Sequence, residues 1–209
     1  MQLFRVFSAI GIFFTYANRL KLKALDAYYR DKIRRVGQFS HLTNPLRIQG
    51  PENIIIGEHT IIGHGGWLAS TPIAEAESSL LEIGNYCHIG DFCHIYAVKH
   101  IKLDDQVLIA NHVYITDNYH GFEQIDVPII KNPIHFKKEV YIGEGSWIGE
   151  NVCIISANVG KHCVVGANSV VTHDLPDYCV AVGSPAKIIK RYNFKNKRWQ
   201  KTNSDGSFI

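Results

Sequence analysis

The sequence predicts an all-β fold, a parallel β-helix in which a hexapeptide repeat winds the chain into a solenoid. Two observations predict it. An aliphatic residue followed by glycine recurs about every six residues, as Ile56-Gly57, Ile62-Gly63, Ile83-Gly84, Ile89-Gly90, Ile142-Gly143, Ile148-Gly149, Val159-Gly160 and Val165-Gly166. A small or moderately apolar residue stands four positions after each aliphatic one, as at Thr60, Cys87, Cys93, Val107, Val113, Ser146, Val152, Cys163 and Ser169. Two inward positions per hexad suit stacked flat faces, whereas an amphipathic helix would repeat every ~3.6 residues.

The repeated glycine is expected at the corner between two faces. There the backbone needs a conformation that a Cβ would penalise. The repeat is interrupted at residues 65–81 and at residues 118–139. Because stacked coils leave no room inside, extra residues must project from a corner. Residues 118–139 are therefore predicted to form a loop arm, which begins with Asn118-Tyr119-His120-Gly121-Phe122.

The two ends of the chain fall outside the repeat. Residues 1–40 are predicted to form an N-terminal helical segment, residues 41–185 the β-helix, and residues 186–209 a short C-terminal helix or tail. The apolar run at residues 6–17 is too short to span a bilayer, and basic residues follow it. Residues 1–23 either lie on an anionic membrane surface or pack on a neighbouring subunit. The expected location is the cytoplasm, with the inner face of the cytoplasmic membrane as the site of any such contact.

Composition indicates one soluble globular unit. The chain has 209 residues, of which 46% are hydrophobic and 20% charged, and its formal net charge is +3. This mild charge, without a recognition helix, argues against nucleic acid as a partner. The five cysteines lack any C-x-x-C spacing. We therefore expect buried, reduced thiols of a cytoplasmic protein rather than a disulfide framework.

Residues 46–191 resemble the left-handed β-helix hexapeptide-repeat acyltransferases, and among them the bacterial O-acetyltransferases that modify galactosides, maltose, capsules and O-antigens. Three stretches carry the resemblance. They are Val140-Tyr141-Ile142-Gly143-Glu144-Gly145-Ser146-Trp147-Ile148-Gly149, then Val165-Gly166-Ala167-Asn168-Ser169-Val170-Val171, and finally Ala181-Val182-Gly183-Ser184-Pro185-Ala186-Lys187. The resemblance implies a left-handed β-helix, a homotrimer with sites between subunits, acetyl-CoA as co-substrate, a carbohydrate acceptor and no metal.

His120 is the predicted catalytic residue, because it follows the coil after which this family places its catalytic histidine. A sugar hydroxyl is a poor nucleophile at neutral pH, so a base must accept its proton, and the ordinary pKa of histidine suits that task. Asp117, Glu123, Asp126 or a backbone carbonyl could orient the imidazole. His135, on the same arm, is an open alternative for contacting the acceptor or a CoA phosphate.

Trp147 faces outward from its hexad, so it is predicted to stack on the sugar, with Asp117 and Tyr119 as further substrate contacts. Packing across a trimer interface is the other interpretation of Trp147. Correspondence with the family implies that Ala167, Thr172 and His173 line the CoA channel. It also implies that Lys187, with Lys190 and Arg191, lies near the CoA phosphates, where cations are favoured.

The expected function is therefore acetyl transfer to a sugar hydroxyl of a cell-surface polysaccharide or its precursor. The apolar and basic N-terminus and the Asp-Asn-Tyr-His-Gly-Phe segment favour it. Acetylation of an antibiotic hydroxyl remains an alternative within the acyltransferases. A more distant alternative is a zinc hydratase of the γ-carbonic anhydrase type, for which His59 and His64 could supply two of the three ligands required.

Overall fold

The computed structural model describes residues 2–73 and 75–209, with side chains from residue 17 onward. One helix precedes a long series of short strands. The helix is α1 (Gln2–Lys32). The strands are β1 (Arg35–Val36), β2 (His41–Leu42), β3 (Arg47–Gln49), β4 (Ile54–Ile56), β5 (Ile61–Ile62), β6 (Trp67–Ser70), β7 (Leu80–Ile83), β8 (His88–Ile89), β9 (His94–Ala97), β10 (His100–Leu103), β11 (Leu108–Ile109), β12 (Tyr114–Thr116), β13 (Asn118–His120), β14 (Ile134–Phe136), β15 (Val140–Ile142), β16 (Trp147–Ile148), β17 (Cys153–Ile155), β18 (Val164–Val165), β19 (Val170–Val171), β20 (Cys179–Val182), β21 (Lys187–Asn193) and β22 (Arg198–Lys201). Short 3₁₀ helices occupy Pro51–Asn53 and Ile129–Lys131.

Three parallel sheets form the sides of a prism, and successive coils contribute one strand to each. Face 1 has the strand order β1-β4-β7-β10-β15, face 2 has β2-β5-β8-β11-β16-β18-β20-β21-β22, and face 3 has β19-β17-β12-β9-β6-β3. Each corner is named by the faces it joins: 1–2, 2–3 and 3–1. The first strand begins at Arg35, which falls within the segment predicted to precede the β-helix.

The core of the prism is built from the two inward positions of the repeat. The aliphatic residues are fully or almost fully buried, as shown by Ile56, Ile89 and Ile142 at 0% exposure. Burying each such side chain stabilises the fold by about 1.5–3 kcal/mol. Thr60 Oγ1 also lies inside, where it donates to Gly84 O at 2.7 Å and accepts the N–H of Cys87 at 3.0 Å. The inward hydroxyl thus has partners on the next coil, which removes the cost of burying it.

The cysteines are free, and all except the half-buried Cys153 are buried. The predicted burial of the thiols is thus observed at four of the five positions. Burial raises the pKa of Cys87 to about 11 despite its hydrogen bonds to the backbone, and burial does the same for Cys93.

The role predicted for the repeated glycine is wrong in its physical detail. The left-handed backbone occurs two residues later, at side-chain-bearing positions such as His59 (φ 54°) and Tyr86 (φ 56°). The glycine is required instead because adjacent coils approach closely at the corner. A Cβ on Gly57 would lie 2.6 Å from the carbonyl carbon of Gly84, a distance that no side chain tolerates.

The C-terminal half of α1 packs on the first coil. Asp26 Oδ1 accepts the N–H of Leu42 at 2.9 Å, and Arg30 donates to the carbonyl oxygens of Gly37 and Ser40. Ile33 is buried at 4% exposure and joins the prism core. The side chains of residues 2–16, on which the membrane and subunit interpretations of the N-terminus depend, lie outside the described side chains. No described helix has a stretch long and apolar enough to cross a membrane.

Two insertions leave the prism, and both depart from corner 3–1. The first is shorter than predicted, because Trp67–Ser70 belongs to face 3 and only the chain between Ser70 and Leu80 leaves the coil. The repeat does not predict a strand at residues 65–70, because this stretch lacks the aliphatic–glycine pair. The second insertion lies between β12 and β15 and contains the antiparallel hairpin of β13 and β14. It is called the arm below.

The C-terminal segment, predicted as a short helix or tail, is a tail of two strands. β21 runs antiparallel to β20, and β22 extends the same sheet. At the start of β21, buried Ile188 (7% exposed) lies between exposed Lys187 and Ile189, as expected where neighbouring side chains of a strand point to opposite sides. The open edge of β20 supplies hydrogen-bonding groups that a helix would leave without partners, so the tail caps this end of the solenoid as a hairpin.

Candidate functional site

The arm presents His120 to solvent. In the hairpin, Tyr119 is opposite His135, and His120 is opposite Ile134. Alternate residues of a strand point to opposite sides, so Tyr119 and His135 share one side of the hairpin and His120 lies on the other. The rings of Tyr119 and His135 are accordingly 5.6 Å apart. The exposed imidazole of His120 is free to meet a hydroxyl that approaches from outside.

Asp117 anchors the arm, which corrects the prediction that it contacts the sugar. Its side chain is fully buried. The carboxylate accepts the backbone N–H groups of Val98 (2.9 Å), Lys99 (2.8 Å) and His100 (3.0 Å), one coil earlier. With its oxygens turned inward to these donors, Asp117 is not available to a substrate or to the His120 imidazole.

Of the other residues considered as partners of His120, Glu123 stabilises its own turn, since its Oε2 accepts the N–H of Phe122 at 2.9 Å. Asp126 is exposed on the arm. Tyr119, predicted to contact the sugar, is half-buried with its ring tilted against those of Phe122 (6.2 Å) and His135. It therefore faces away from His120, on the side of the hairpin that His135 occupies.

Thr172 and His173 lie at the corner from which the arm departs. β12, β17 and β19 are successive strands of face 3, so the chain just after β19 is two strand spacings from the arm, about 10 Å along the prism. Thr172 Oγ1 and His173 Nδ1 are 3.0 Å apart. Lys138, at the base of the arm, binds Asp174 with a nitrogen–oxygen distance of 2.7 Å. The structure thus brings His120, Thr172 and His173 to one edge of the prism.

The remaining predicted cofactor residues lie elsewhere on the chain. Ala167 occupies corner 2–3, between β18 and β19, and Lys187 begins β21 beside Val182, at the same end of face 2. Lys190 is exposed and opposite Val180 on face 2. Arg191 is opposite Cys179 and lines a recess near corner 1–2. Within one chain these four residues do not surround a common point with His173.

Trp147 is on face 2, between Leu108 and Val164 of the neighbouring strands, and its side chain is 49% exposed. In a three-sided prism, face 2 is opposite corner 3–1, where the arm carrying His120 leaves. A single chain therefore does not bring Trp147 and His120 together.

One contact at corner 3–1 was not predicted. Glu75, on the first insertion, places Oε1 2.7 Å from Nδ1 of His135 on the arm. A recess of about 400 Å³ lies between the first insertion and the strand that starts at His100. Glu82 Oε1 lies 2.9 Å from one ring nitrogen of His100, and Glu139 Oε2 lies 3.6 Å from the other. The sequence carries no motif for these pairs, which join residues that are far apart along the chain.

The residues considered for a zinc site do not converge. His59 occupies corner 1–2, where its ring stacks between Phe39 and Tyr86 with centroids 4.8 Å from each. His64 occupies corner 2–3, with Nδ1 3.4 Å from the side-chain nitrogen of Asn44. Among the residues that the structure describes, no group of three or more His, Cys, Asp or Glu side chains is placed to hold a metal ion.

No protein-family model matches the sequence. It is 44% identical over 101 residues to the inferred lipopolysaccharide biosynthesis O-acetyl transferase WbbJ of Escherichia coli K12; the alignment covers 45% of this chain and about half, 52%, of WbbJ. It is 27% identical over 163 residues to the galactoside O-acetyltransferase of Escherichia coli K12, with 78% of each chain covered.

The fold is similar to that of AntD, an N-acyltransferase from Bacillus cereus solved with dTDP and 3-hydroxybutyryl-CoA. The TM-score is 0.68 at 21% identity, covering 82% of this chain and 90% of that chain. It is also similar to the hexapeptide-repeat containing acetyltransferase VCA0836 from Vibrio cholerae, with a TM-score of 0.53 at 22% identity, covering 80% and 78%. The predicted left-handed parallel β-helix is confirmed, and so is the resemblance drawn from the sequence.

Proposed function

On the premise that the chain is a hexapeptide-repeat acyltransferase in sequence and fold, we propose that it is an O-acetyltransferase. It transfers acetyl from acetyl-CoA to a sugar hydroxyl of a cell-surface polysaccharide or its precursor. The observation that carries this proposal is the exposed His120 on an anchored arm, at the corner that also carries Thr172 and His173. The similarity to WbbJ supports the polysaccharide, and the similarity to galactoside O-acetyltransferase supports the sugar.

His120 acts as the general base. Acetyl-CoA supplies an activated acetyl group as a thioester. As the hydroxyl oxygen bonds to the acetyl carbon, the imidazole accepts the hydroxyl proton; the carbon–sulfur bond breaks, and the proton passes from the imidazolium to the CoA sulfur. Asp117 contributes indirectly, because its three backbone hydrogen bonds fix the point where the arm leaves the prism. Positioning of this kind accounts for a large share of enzymatic rate enhancement.

The site is completed by a second copy of the chain in a homotrimer. Support comes from Trp147, whose exposed indole lies on the face opposite the arm of its own chain. In a ring with three-fold symmetry, face 2 of one subunit can border corner 3–1 of the next. Trp147 of one subunit then stacks on the sugar that His120 of its neighbour deprotonates.

Turnover tests the proposal directly. Purified full-length protein is screened with acetyl-CoA against mono- and oligosaccharides while released thiol is measured. We expect His120→Ala to lower kcat by roughly 10²–10⁴-fold, the usual contribution of a positioned base, with little change in the KM of acetyl-CoA. A His120→Ala variant that keeps more than about a tenth of wild-type turnover contradicts the assignment.

The shared site is tested by subunit mixing. His120→Ala and Trp147→Ala chains, each impaired alone, are co-expressed at equal levels. Random assortment leaves about a quarter of the interfaces with both residues intact, so about a quarter of wild-type activity should return. Activity no greater than the average of the two variants would show that His120 and Trp147 do not serve one site across an interface.

Lys187 is proposed to contact a phosphate of CoA. Because such a contact is present in the ground state and the transition state alike, Lys187→Ala should raise the KM of acetyl-CoA more than it lowers kcat. Acetyl-dephospho-CoA, which lacks the 3′-phosphate, shows which phosphate Lys187 contacts. If Lys187 binds the 3′-phosphate, the variant should no longer discriminate between acetyl-CoA and acetyl-dephospho-CoA. Equal discrimination by variant and wild type would assign Lys187 another role.

We further propose that the protein works in the cytoplasm, at the inner face of the cytoplasmic membrane, held there by residues 1–23. The exposed side chains of Arg19, Lys21 and Lys23 on α1 support this, since cations near a membrane surface are attracted to anionic lipids. In flotation with vesicles containing anionic lipid, full-length protein should rise with the vesicles. Protein that stays at the bottom argues instead for packing on a neighbouring subunit.

A further inference from the structure

We propose that Glu75 and His135 form a latch that joins the first insertion to the arm and positions His120. The proposal rests on the proposed function for its catalytic consequence, although the contact itself does not. Glu75 Oε1 and His135 Nδ1 are 2.7 Å apart, and the two residues are separated by 60 positions in the sequence. Their side chains are 48% and 27% exposed, so this is a partly solvated hydrogen bond.

The two insertions are placed for such a contact. Both leave the prism at corner 3–1, and their face-3 strands β6 and β12 are separated by β9 alone. The roots of the insertions are therefore about 10 Å apart along the prism. The intervening coil passes corner 3–1 at Val98, whose N–H Asp117 accepts. Asp117 thus fixes the base of the arm, and Glu75 holds it farther out.

His135 contacts the chain on both sides of His120. Its ring lies 5.6 Å from that of Tyr119, the residue before. It also lies against Gly121, the residue after, where a Cβ would be 2.9 Å from Nε2 of His135. Gly121 is buried, and its N–H donates to Pro133 O at 2.8 Å. The His135 ring therefore lies against the backbone on either side of His120, where a change in its position can alter the path of that backbone.

The arm is held to the prism near its base, where Lys138 pairs with Asp174 and the Lys99 ammonium lies 4.7 Å from the centre of the Phe136 ring. Beyond the hairpin it presents exposed apolar side chains to solvent, including Ile125 (94% exposed) and Ile130 (88% exposed). A hairpin of two three-residue strands is only marginally stable by itself. The latch supplies a contact from the outer part of the arm to the first insertion, and this reduces the number of positions open to the His120 imidazole. His135 and Glu75 are thus positioning residues, which act through the backbone of the arm.

The test uses full-length protein and five variants. Glu75→Ala removes the acceptor of the latch. Glu75→Gln keeps an oxygen at the same distance, which can accept from Nδ1–H of neutral His135, and serves as the conservative rescue. Glu77→Ala is the matched control, because Glu77 is an exposed glutamate of the same insertion and its side chain makes no hydrogen bond to the arm among the described residues. His135→Ala, alone and combined with Glu75→Ala, tests whether the two act as a unit.

Amide hydrogen exchange tests the latch independently of enzymatic activity. In Glu75→Ala the backbone amides of residues 118–121 should exchange about three- to tenfold faster, whereas Glu75→Gln and Glu77→Ala should match wild type. Unchanged exchange in Glu75→Ala overturns the latch. This readout is valid even if the protein transfers no acetyl group, so the failure of the latch and the failure of the proposed function are distinguishable.

Steady-state kinetics test whether the latch positions His120 for catalysis. Glu75→Ala should lower kcat by about tenfold or more with the KM of acetyl-CoA within about twofold of wild type, since displacing a catalytic group costs rate rather than donor affinity. Glu75→Gln should recover most of kcat, and adding His135→Ala to Glu75→Ala should cause little further loss. Faster exchange without a change in kcat would show that the latch does not position His120. Additive losses from the two substitutions would show that the residues act separately.

Discussion

Asp117 should contribute more to stability than any other carboxylate on the arm. Asp117→Ala removes the acceptor for three backbone N–H groups, of which that of Val98 is buried and those of Lys99 and His100 are partly buried. An unsatisfied buried donor costs about 1–3 kcal/mol, and the partly buried ones cost less because water reaches them. The free energy of unfolding should therefore fall by about 3–4 kcal/mol. For a chain of this size, that corresponds to a Tm lower by roughly 6–16 °C.

Urea denaturation and thermal melting measure this difference. Asp117→Asn should give about half the loss, because the amide keeps one accepting oxygen but turns an NH₂ group toward the same donors. Asp126→Ala, an exposed carboxylate on the same arm, is the control and should change stability by less than about 0.5 kcal/mol. If Asp117→Ala kept wild-type stability and instead raised the KM of the acceptor, Asp117 would be a substrate ligand and the anchoring role would be refuted.

Two further predictions concern the prism itself. Gly63→Ala should destabilise the protein by about 2–3 kcal/mol or more, because its Cβ would lie 2.6 Å from the carbonyl carbon of Gly90. Gly66→Ala is the control: its Cβ would have its nearest contact at 3.4 Å, so the loss of stability should be less than about 1 kcal/mol. Urea denaturation measures both losses. Equal losses of stability in the two variants would mean that the close approach of adjacent coils is not the reason that position 63 requires glycine. In native protein at pH 8, Cys153 should react with a thiol reagent well before Cys87 and Cys93, since burial holds the pKa of those two at about 11 and leaves roughly one part in a thousand as thiolate. Rapid labelling of Cys87 would contradict the burial that raises its pKa.

The sequence was sufficient for the fold because a hexapeptide repeat is a local property repeated many times. Ile56, Ile89 and Ile142 each bury one side chain, and each coil stacks only on its neighbours, so the pattern of inward residues specifies the prism directly. His120 was chosen differently: the break in the repeat places it on the arm, but its catalytic role is what the resemblance to the acyltransferases implies. The C-terminal hairpin could not be predicted, because its strands form on an edge that exists only once the prism is complete.

Tertiary structure decided which polar side chains of the site are available. Asp117 and Asp126 are both carboxylates near His120 in the sequence, yet the first is buried among the N–H groups of another coil and the second is in solvent. Glu75 and His135 meet only because two insertions leave the same corner two coils apart. Such contacts depend on the stacking of coils, which joins residues far apart in the chain. Residue order therefore determined the prism and the arm, and the stacking determined which side chains hold the arm and which are open to solvent.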